Sequence, residues 1–177
     1  MTTVSYFAYG SNMLRERLLA RCPGSVLRGR ATLPDSRLTF DKVSKDGSGK
    51  CAFEPSRGDA MAGVLWQVPE AELGKLDQLE GVGSGYERCE IAVQEVGGTC
   101  DALTYRATKT KYGLLPYDWY LALVVAGAQQ QGLPSAVVER LQQVRSRRDP
   151  KLQRRQRLEA LDVLRSAGFG EVADGLQ

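Results

Sequence analysis

The order of its short, turn-bounded runs of strand-forming residues constrains this chain most. Residues 4–9, 25–33, 37–43, 50–54 and 60–68 are such runs, separated by Gly, Pro, Asp and Ser, with Asp46-Gly47-Ser48-Gly49 as a turn or a mobile loop. Gly10-Ser11-Asn12 breaks the first run, and a short helical stretch follows with Leu14 and Leu18 on one side. A longer helix comes only after the fifth run. It opens on Pro69-Glu70-Ala71-Glu72, where Pro suits the first turn and acids suit the positive end of the dipole, and it ends near Gly81. Residues 86–96 and 99–107 form a hairpin about Gly97-Gly98. Pro116 introduces a helix over residues 117–131, closed by Gly132 and Pro134, and residues 135–167 are expected to be helical with a break at Asp149-Pro150. Strands first and helices last argue for an α+β fold, not an alternating α/β one. Strands this short around one small core point to a partly or fully closed barrel. The 177 residues suit a single domain, 1–177, in which residues 146–177 form a basic helical C-terminal extension.

The absence of histidine narrows the chemistry. It removes Ser-His-Asp and Cys-His nucleophiles and every His-ligated metal site. An enzyme built on this chain must take its acid or base from Asp, Glu, Tyr, Lys or Cys, and a carboxyl needs a raised pKa to do that work near neutral pH. The net charge of +3 is too small to imply a nucleic-acid partner. It is unevenly placed, since residues 139–159 hold eight Lys/Arg against three acids. Such a run serves either an anionic partner or, more commonly, the solvated face of a helix. Cys22, Cys51, Cys89 and Cys100 are scattered in a pattern that suits neither zinc nor a dense disulfide framework, although Cys89 and Cys100 flank the hairpin and could approach each other. Residues 1–5 lack a basic start and an apolar run, and residues 121–126 are too short a run to span a bilayer, so the cytoplasm is the expected compartment.

Three places could carry chemistry. At Tyr9-Gly10-Ser11-Asn12, glycine permits a sharp turn, and the free N–H groups that follow form an anion-receiving cup, or simply cap a turn. Glu80 lies seven residues after Leu73, with Leu76 beside them, so it falls on the apolar face of its helix just before Gly81. Burial there would raise its pKa, whereas fraying would release it to solvent, and Asp77 borders the same stripe as a rival. Tyr117, Trp119 and Tyr120, with Tyr105 and Tyr112 upstream, could orient a polar substrate or pack a helix start into the core.

Together these pieces resemble the γ-glutamyl cyclotransferase family. The resemblance runs through Phe7-Ala8-Tyr9-Gly10-Ser11-Asn12-Met13, Gly63-Val64-Leu65-Trp66, Leu76-Asp77-Gln78-Leu79-Glu80-Gly81-Val82 with Gly83-Ser84-Gly85-Tyr86, and Tyr120 with Gly127-Ala128-Gln129-Gln130-Gln131-Gly132-Leu133-Pro134. It covers residues 4–145 and leaves the basic tail unmatched. It implies a small mixed β-barrel with flanking helices, and no metal or cofactor. It implies a small-molecule γ-glutamyl substrate, with Glu80 as catalytic acid/base and Tyr9, Gly10, Ser11, Asn12, Met13 and Tyr120 as substrate-binding residues. Trp119 or Tyr117 could replace Tyr120 if a small gap shifts the match. The implied reaction is attack of the substrate's α-amine on its own γ-carbonyl, giving 5-oxoproline and a free amine. Asn12 in the loop looks more like the γ-glutamyl amino acid enzymes than the glutathione type. Glutathione and γ-glutamylamine substrates, or a non-catalytic binding module, are the alternatives. Neither monomer nor homodimer is favoured.

Overall fold

The computed structural model describes residues 2–176. Five strands, β1 Thr3–Ala8, β2 Val26–Val43, β3 Gly49–Pro69, β4 Tyr86–Glu95 and β5 Gly98–Ala107, close into a barrel in the order β1-β3-β2-β4-β5. The β1–β3, β2–β3, β2–β4 and β4–β5 pairs are antiparallel, and a parallel bridge between Tyr6 and Leu103 closes the ring. The expected mixed barrel is therefore present, and the far part of the β2–β3 hairpin, residues 36–43 and 49–55, continues beyond the ring.

The strand bounds differ from the sequence expectation. Residues 25–33 and 37–43 form one strand, β2, and residues 50–54 and 60–68 form one strand, β3. Pro34-Asp35 reads as a break, but the chain absorbs it as a bulge between Pro34 and Ser36, with Asp35 in the left-handed region at φ 49°. The Asp35 carboxylate accepts the Gly58 N–H at 2.8 Å across the gap and so ties the two strands where the ladder lapses. Further register shifts at Leu27/Gly29 and Thr39/Lys42 let this long hairpin curl around the core. Its turn is fixed by Asp46, whose Oδ1 accepts from the Ser48 N–H at 2.9 Å and the Ser48 hydroxyl at 2.6 Å.

The helices are α1 Arg15–Arg21, α2 Glu70–Glu80, α3 Asp118–Gln130, α4 Ser135–Gln142, α5 Arg155–Ser166 and α6 Gly170–Gly175, with a 3-10 turn at Ser11–Met13. Helix α3 is apolar because it is buried, and it carries Trp119, Leu123, Val124 and Ala128 into the core. Gly127 allows α3 to lie against the 3-10 turn, since a Cβ there would sit 2.7 Å from the Leu14 nitrogen. The break in the tail is wider than expected and spans residues 143–154. Within it Asp149 is fully buried, accepting from Trp119 Nε1 at 3.0 Å and Arg154 Nε at 2.6 Å. Helix α5 buries Ala160, Leu161 and Leu164 and packs on α3 and α1.

The hairpin register separates Cys89 from Cys100. Cys89 faces Thr104 and Cys100 faces Val93, an offset of four residues, or about 13 Å along the strands. That exceeds disulfide reach, and all four cysteines are free thiols. Among the described residues no helix is long and apolar enough to cross a membrane.

Candidate active site

The end of α2 and the turn after β1 meet at one end of the barrel. Leu73 and Leu76 anchor α2 in the core, and this phase turns Glu80 toward the loop. Gly81, at φ 70°, ends the helix immediately after it, with its N–H bonded to the Asp77 and Gln78 carbonyls. Glu80 therefore does not fray outward. Its side chain is 16% exposed, and its Oε1 accepts from Asn12 Nδ2 at 2.9 Å and Arg21 Nη1 at 3.0 Å. The same Arg21 nitrogen donates to Asn12 Oδ1 at 2.9 Å, so Asn12 is held at both ends of its amide. Asn12 Nδ2 also reaches the Tyr6 hydroxyl oxygen at 3.0 Å. Glu80 Oε2 has no hydrogen bond among the described residues.

A chamber of about 30 Å³ lies beside this clamp. Tyr6, Tyr9, Tyr86, Tyr105 and Tyr120 wall it, with Gly10, Ser11, Cys51 and Glu80. Burial, aided by nearby anions or polar groups, pushes the Tyr6, Tyr9, Tyr86 and Tyr120 hydroxyls well above the usual tyrosine value, so they stay neutral. Burial likewise pushes the Cys51 thiol up to about 12, far from a reactive thiolate. Tyr9 donates to the Tyr105 carbonyl at 2.5 Å and Tyr86 donates to the Cys51 carbonyl at 2.7 Å. Tyr120 Oη accepts the Cys51 N–H at 3.1 Å. Glycine is required at position 10 by crowding, since a Cβ would lie 3.1 Å from Cys51 Cβ and 3.4 Å from Tyr120 Oη.

The candidates fall out unevenly. Tyr9, Gly10, Ser11, Asn12, Glu80 and Tyr120 all border the chamber. Met13 does not. Its side chain is buried in the core and its N–H is bonded to the Gly10 carbonyl at 3.0 Å, so the cup is reduced to the N–H groups of Ser11 and Asn12. Of its aromatic group, Tyr120 and Tyr105 reach the chamber, and Trp119 borders the wider space outside it. Tyr117 instead donates to the Asp46 carbonyl at 3.1 Å, and Tyr112 is 95% exposed. Asp77 does not border the chamber and is taken by Arg88 Nε at 2.6 Å and the Tyr105 hydroxyl at 2.8 Å. Burial opposes its ionisation, but these donors outweigh it and hold Asp77 below the usual carboxylate range.

Sequence reasoning missed Arg17, Arg21, Tyr6 and Tyr86. The available signal was the i, i+4 spacing of Arg17 and Arg21, which puts both guanidinium groups on one side of α1. Outside the chamber a wider vestibule of about 390 Å³ opens, and Ser11, Glu80, Tyr86 and Tyr120 border both spaces. Among the described residues no group of three or more His, Cys, Asp or Glu side chains is placed to hold a metal ion.

The chain is similar to known proteins to different degrees. The AIG2-like family model matches residues 60–141. Gamma-glutamylcyclotransferase of Bos taurus is 35% identical over 147 residues, covering 78% of this chain and 77% of its own. That of Mus musculus is 36% identical over 151 residues, covering 80% and 79%. A solved structure described as a gamma-glutamyl cyclotransferase superposes with a TM-score of 0.83 at 29% identity, covering 93% of this chain and 99% of its own. A crystal structure of an uncharacterized protein from Homo sapiens gives a TM-score of 0.77 at 31% identity, covering 83% and 90%.

Proposed function

Since this chain belongs to the γ-glutamylcyclotransferase family, we propose that Glu80 is the acid/base that moves protons as a γ-glutamyl compound closes to 5-oxoproline. The γ-glutamyl end lies against Glu80 at the mouth of the chamber, which is too small to take it whole, and the amine partner lies in the vestibule. The α-amine attacks the γ-carbonyl, a C–N bond forms, and the bond to the partner nitrogen breaks. One proton must leave the attacking amine and one must reach the departing nitrogen. A single carboxyl at the boundary of the two spaces can take the first and return it to the second.

The observation that carries this reading is the one-sided clamp on Glu80. Asn12 and Arg21 both engage Oε1, which leaves Oε2 for the substrate nitrogen. Asn12 and Arg21 thus act as positioning residues. Alignment within one molecule is worth about 7–11 kcal/mol of the barrier, so holding the substrate folded is most of the task. The Ser11 and Asn12 N–H groups receive negative charge from the α-carboxylate or the developing oxyanion. Tyr6 and Tyr120 orient the substrate through hydroxyls that burial keeps protonated. Tyr9 contributes its ring, its hydroxyl being held by Tyr105.

The test is 5-oxoproline release by the purified protein from γ-glutamyl-alanine, γ-glutamyl-cysteine, glutathione and γ-glutamyl-ε-lysine. Turnover of γ-glutamyl amino acids is the expected result. Tight binding of 5-oxoproline with turnover of none of the panel would make the protein a binding module instead.

A further inference from the structure

The vestibule has more cations than the reaction requires. Arg17, Arg21, Lys42, Lys45, Lys50 and Arg154 border it, against the carboxylates of Asp46 and Glu80. Three of the six are matched. Arg21 pairs with Glu80 at 3.0 Å, Lys50 with Asp46 at 3.3 Å, and Arg154 with the buried Asp149 at 2.6 Å. Arg17, Lys42 and Lys45 have no ion pair among the described residues. Arg17 is half-buried, its Nε donating to Ser11 Oγ at 2.9 Å, and Lys42 sits 4.7 Å above the Tyr86 ring. Both lean on residues that also border the chamber, so their charge lies next to the reacting end of the substrate.

Three elements distant in sequence supply this wall: α1, the β2–β3 turn and the start of α5. Burial, and then the positive charges of Arg17 and Lys42 set against the opposing pull of Asp46, bring Lys50 down to about 8. An anion in the vestibule would relieve that repulsion. A γ-glutamyl compound of a neutral amino acid brings two carboxylates, one on the glutamyl unit and one on the departing amino acid. With the glutamyl carboxylate at the Ser11 and Asn12 N–H groups, a neutral departing amino acid brings a single carboxylate to a vestibule with three unpaired cations.

Resting on the cyclotransferase reading above, we infer that the vestibule is a subsite for a departing amine that itself carries two negative charges, such as an acidic amino acid. The same charges work against γ-glutamyl derivatives of polyamines, whose departing part is cationic.

The experiment compares kcat/KM for 5-oxoproline release from γ-glutamyl-glutamate, γ-glutamyl-phosphoethanolamine and γ-glutamyl-alanine. The first two supply the extra negative charge as a carboxylate or a phosphate. At least one is expected to exceed γ-glutamyl-alanine by about tenfold at low salt, with the advantage shrinking as salt screens it. In a Lys42→Gln/Lys45→Gln double variant that ratio is expected to fall toward one, whatever happens to the absolute rates. A wild-type ratio near or below one, or a ratio unchanged in the variant, overturns the subsite while leaving the cyclotransferase reading intact. Release of 5-oxoproline from no substrate overturns both. Retained 5-oxoproline binding by the double variant shows that it has folded.

Discussion

The inner chamber and the vestibule meet at Glu80, but they are made of different material. The chamber is walled by rings from β1, β4, β5 and α3, and its one acidic side chain is Glu80, held by Asn12 and Arg21. The vestibule is walled by lysines and arginines from α1, the β2–β3 turn and the tail. Rings packed on a closed barrel exclude water and hold a fixed shape. Cations held there by Ser11, Asp46 and Asp149 instead set a positive field into which different anionic groups can settle. The difference separates two jobs. The chamber's mouth suits the reacting γ-glutamyl end, which every substrate shares, and the vestibule suits the part that varies.

The sharpest way to break that division is Glu80→Gln. The amide is isosteric and can still accept from Asn12 or Arg21, but it cannot carry a proton between nitrogens. The expected loss in kcat is about 10²–10⁴-fold, the usual worth of a positioned acid/base. Calorimetric binding of 5-oxoproline should persist and show that the chamber is intact. Normal turnover by this variant would remove Glu80 from the chemistry.

A smaller effect is expected on the other side of the boundary, from Asp46→Asn. Burial opposes the Asp46 charge, but hydrogen bonds from Ser48 and the nearby Lys50 outweigh it and hold the carboxyl down at about 2, against an ordinary 3.8. A depressed carboxylate stabilises the fold above its unfolded pKa, and that stability is lost as pH falls through the folded value. The variant should therefore be less stable than the parent by about 1–2 kcal/mol at pH 7, with the gap closing between about pH 4 and 2. Urea denaturation across that range reads it directly. A gap that does not close with acid would mean that Asp46 acts through shape, not charge.

The sequence made one half of this division legible and hid the other. Glu80 could be found because the spacing of Leu73, Leu76 and Glu80 fixes its face and Gly81 fixes where the helix stops. The glycine turn could be found because Gly10 interrupts a strand. That the two touch, through Asn12 and Glu80, depends on barrel closure across 68 residues of separation, which no local spacing reveals. Met13 could not be told from its neighbours, because the hydrogen bond that occupies its N–H belongs to a 3-10 turn too short to leave a periodic signature. Arg17 and Arg21 on a seven-residue helix look like a solvated face. They turn inward only because Leu14 and Leu18 are drawn fully into the core. Arg154 was hidden for a similar reason. It lies in a basic run that resembles a solvent-facing helix, yet Asp149 and Trp119 fix it at the vestibule wall.

The finest test of the comparison is on α2 itself, where Asp77 and Glu80 sit one turn apart. Asp77 is the better-paired acid, gripped by Arg88 and by the Tyr105 hydroxyl, but it does not border the chamber. Its ion pair with Arg88 is partly exposed on both sides, at 39% and 23%, where such pairs are worth about 0–1 kcal/mol. Asp77→Asn should lower stability by less than about 1 kcal/mol and change turnover by less than about threefold, because the amide oxygen can still accept from Tyr105. If Asp77→Asn instead matched Glu80→Gln in lost turnover with its fold intact, the proton would be passing through the outer carboxylate. The chamber would then be a binding pocket only, with its chemistry displaced to the neighbouring face of the helix.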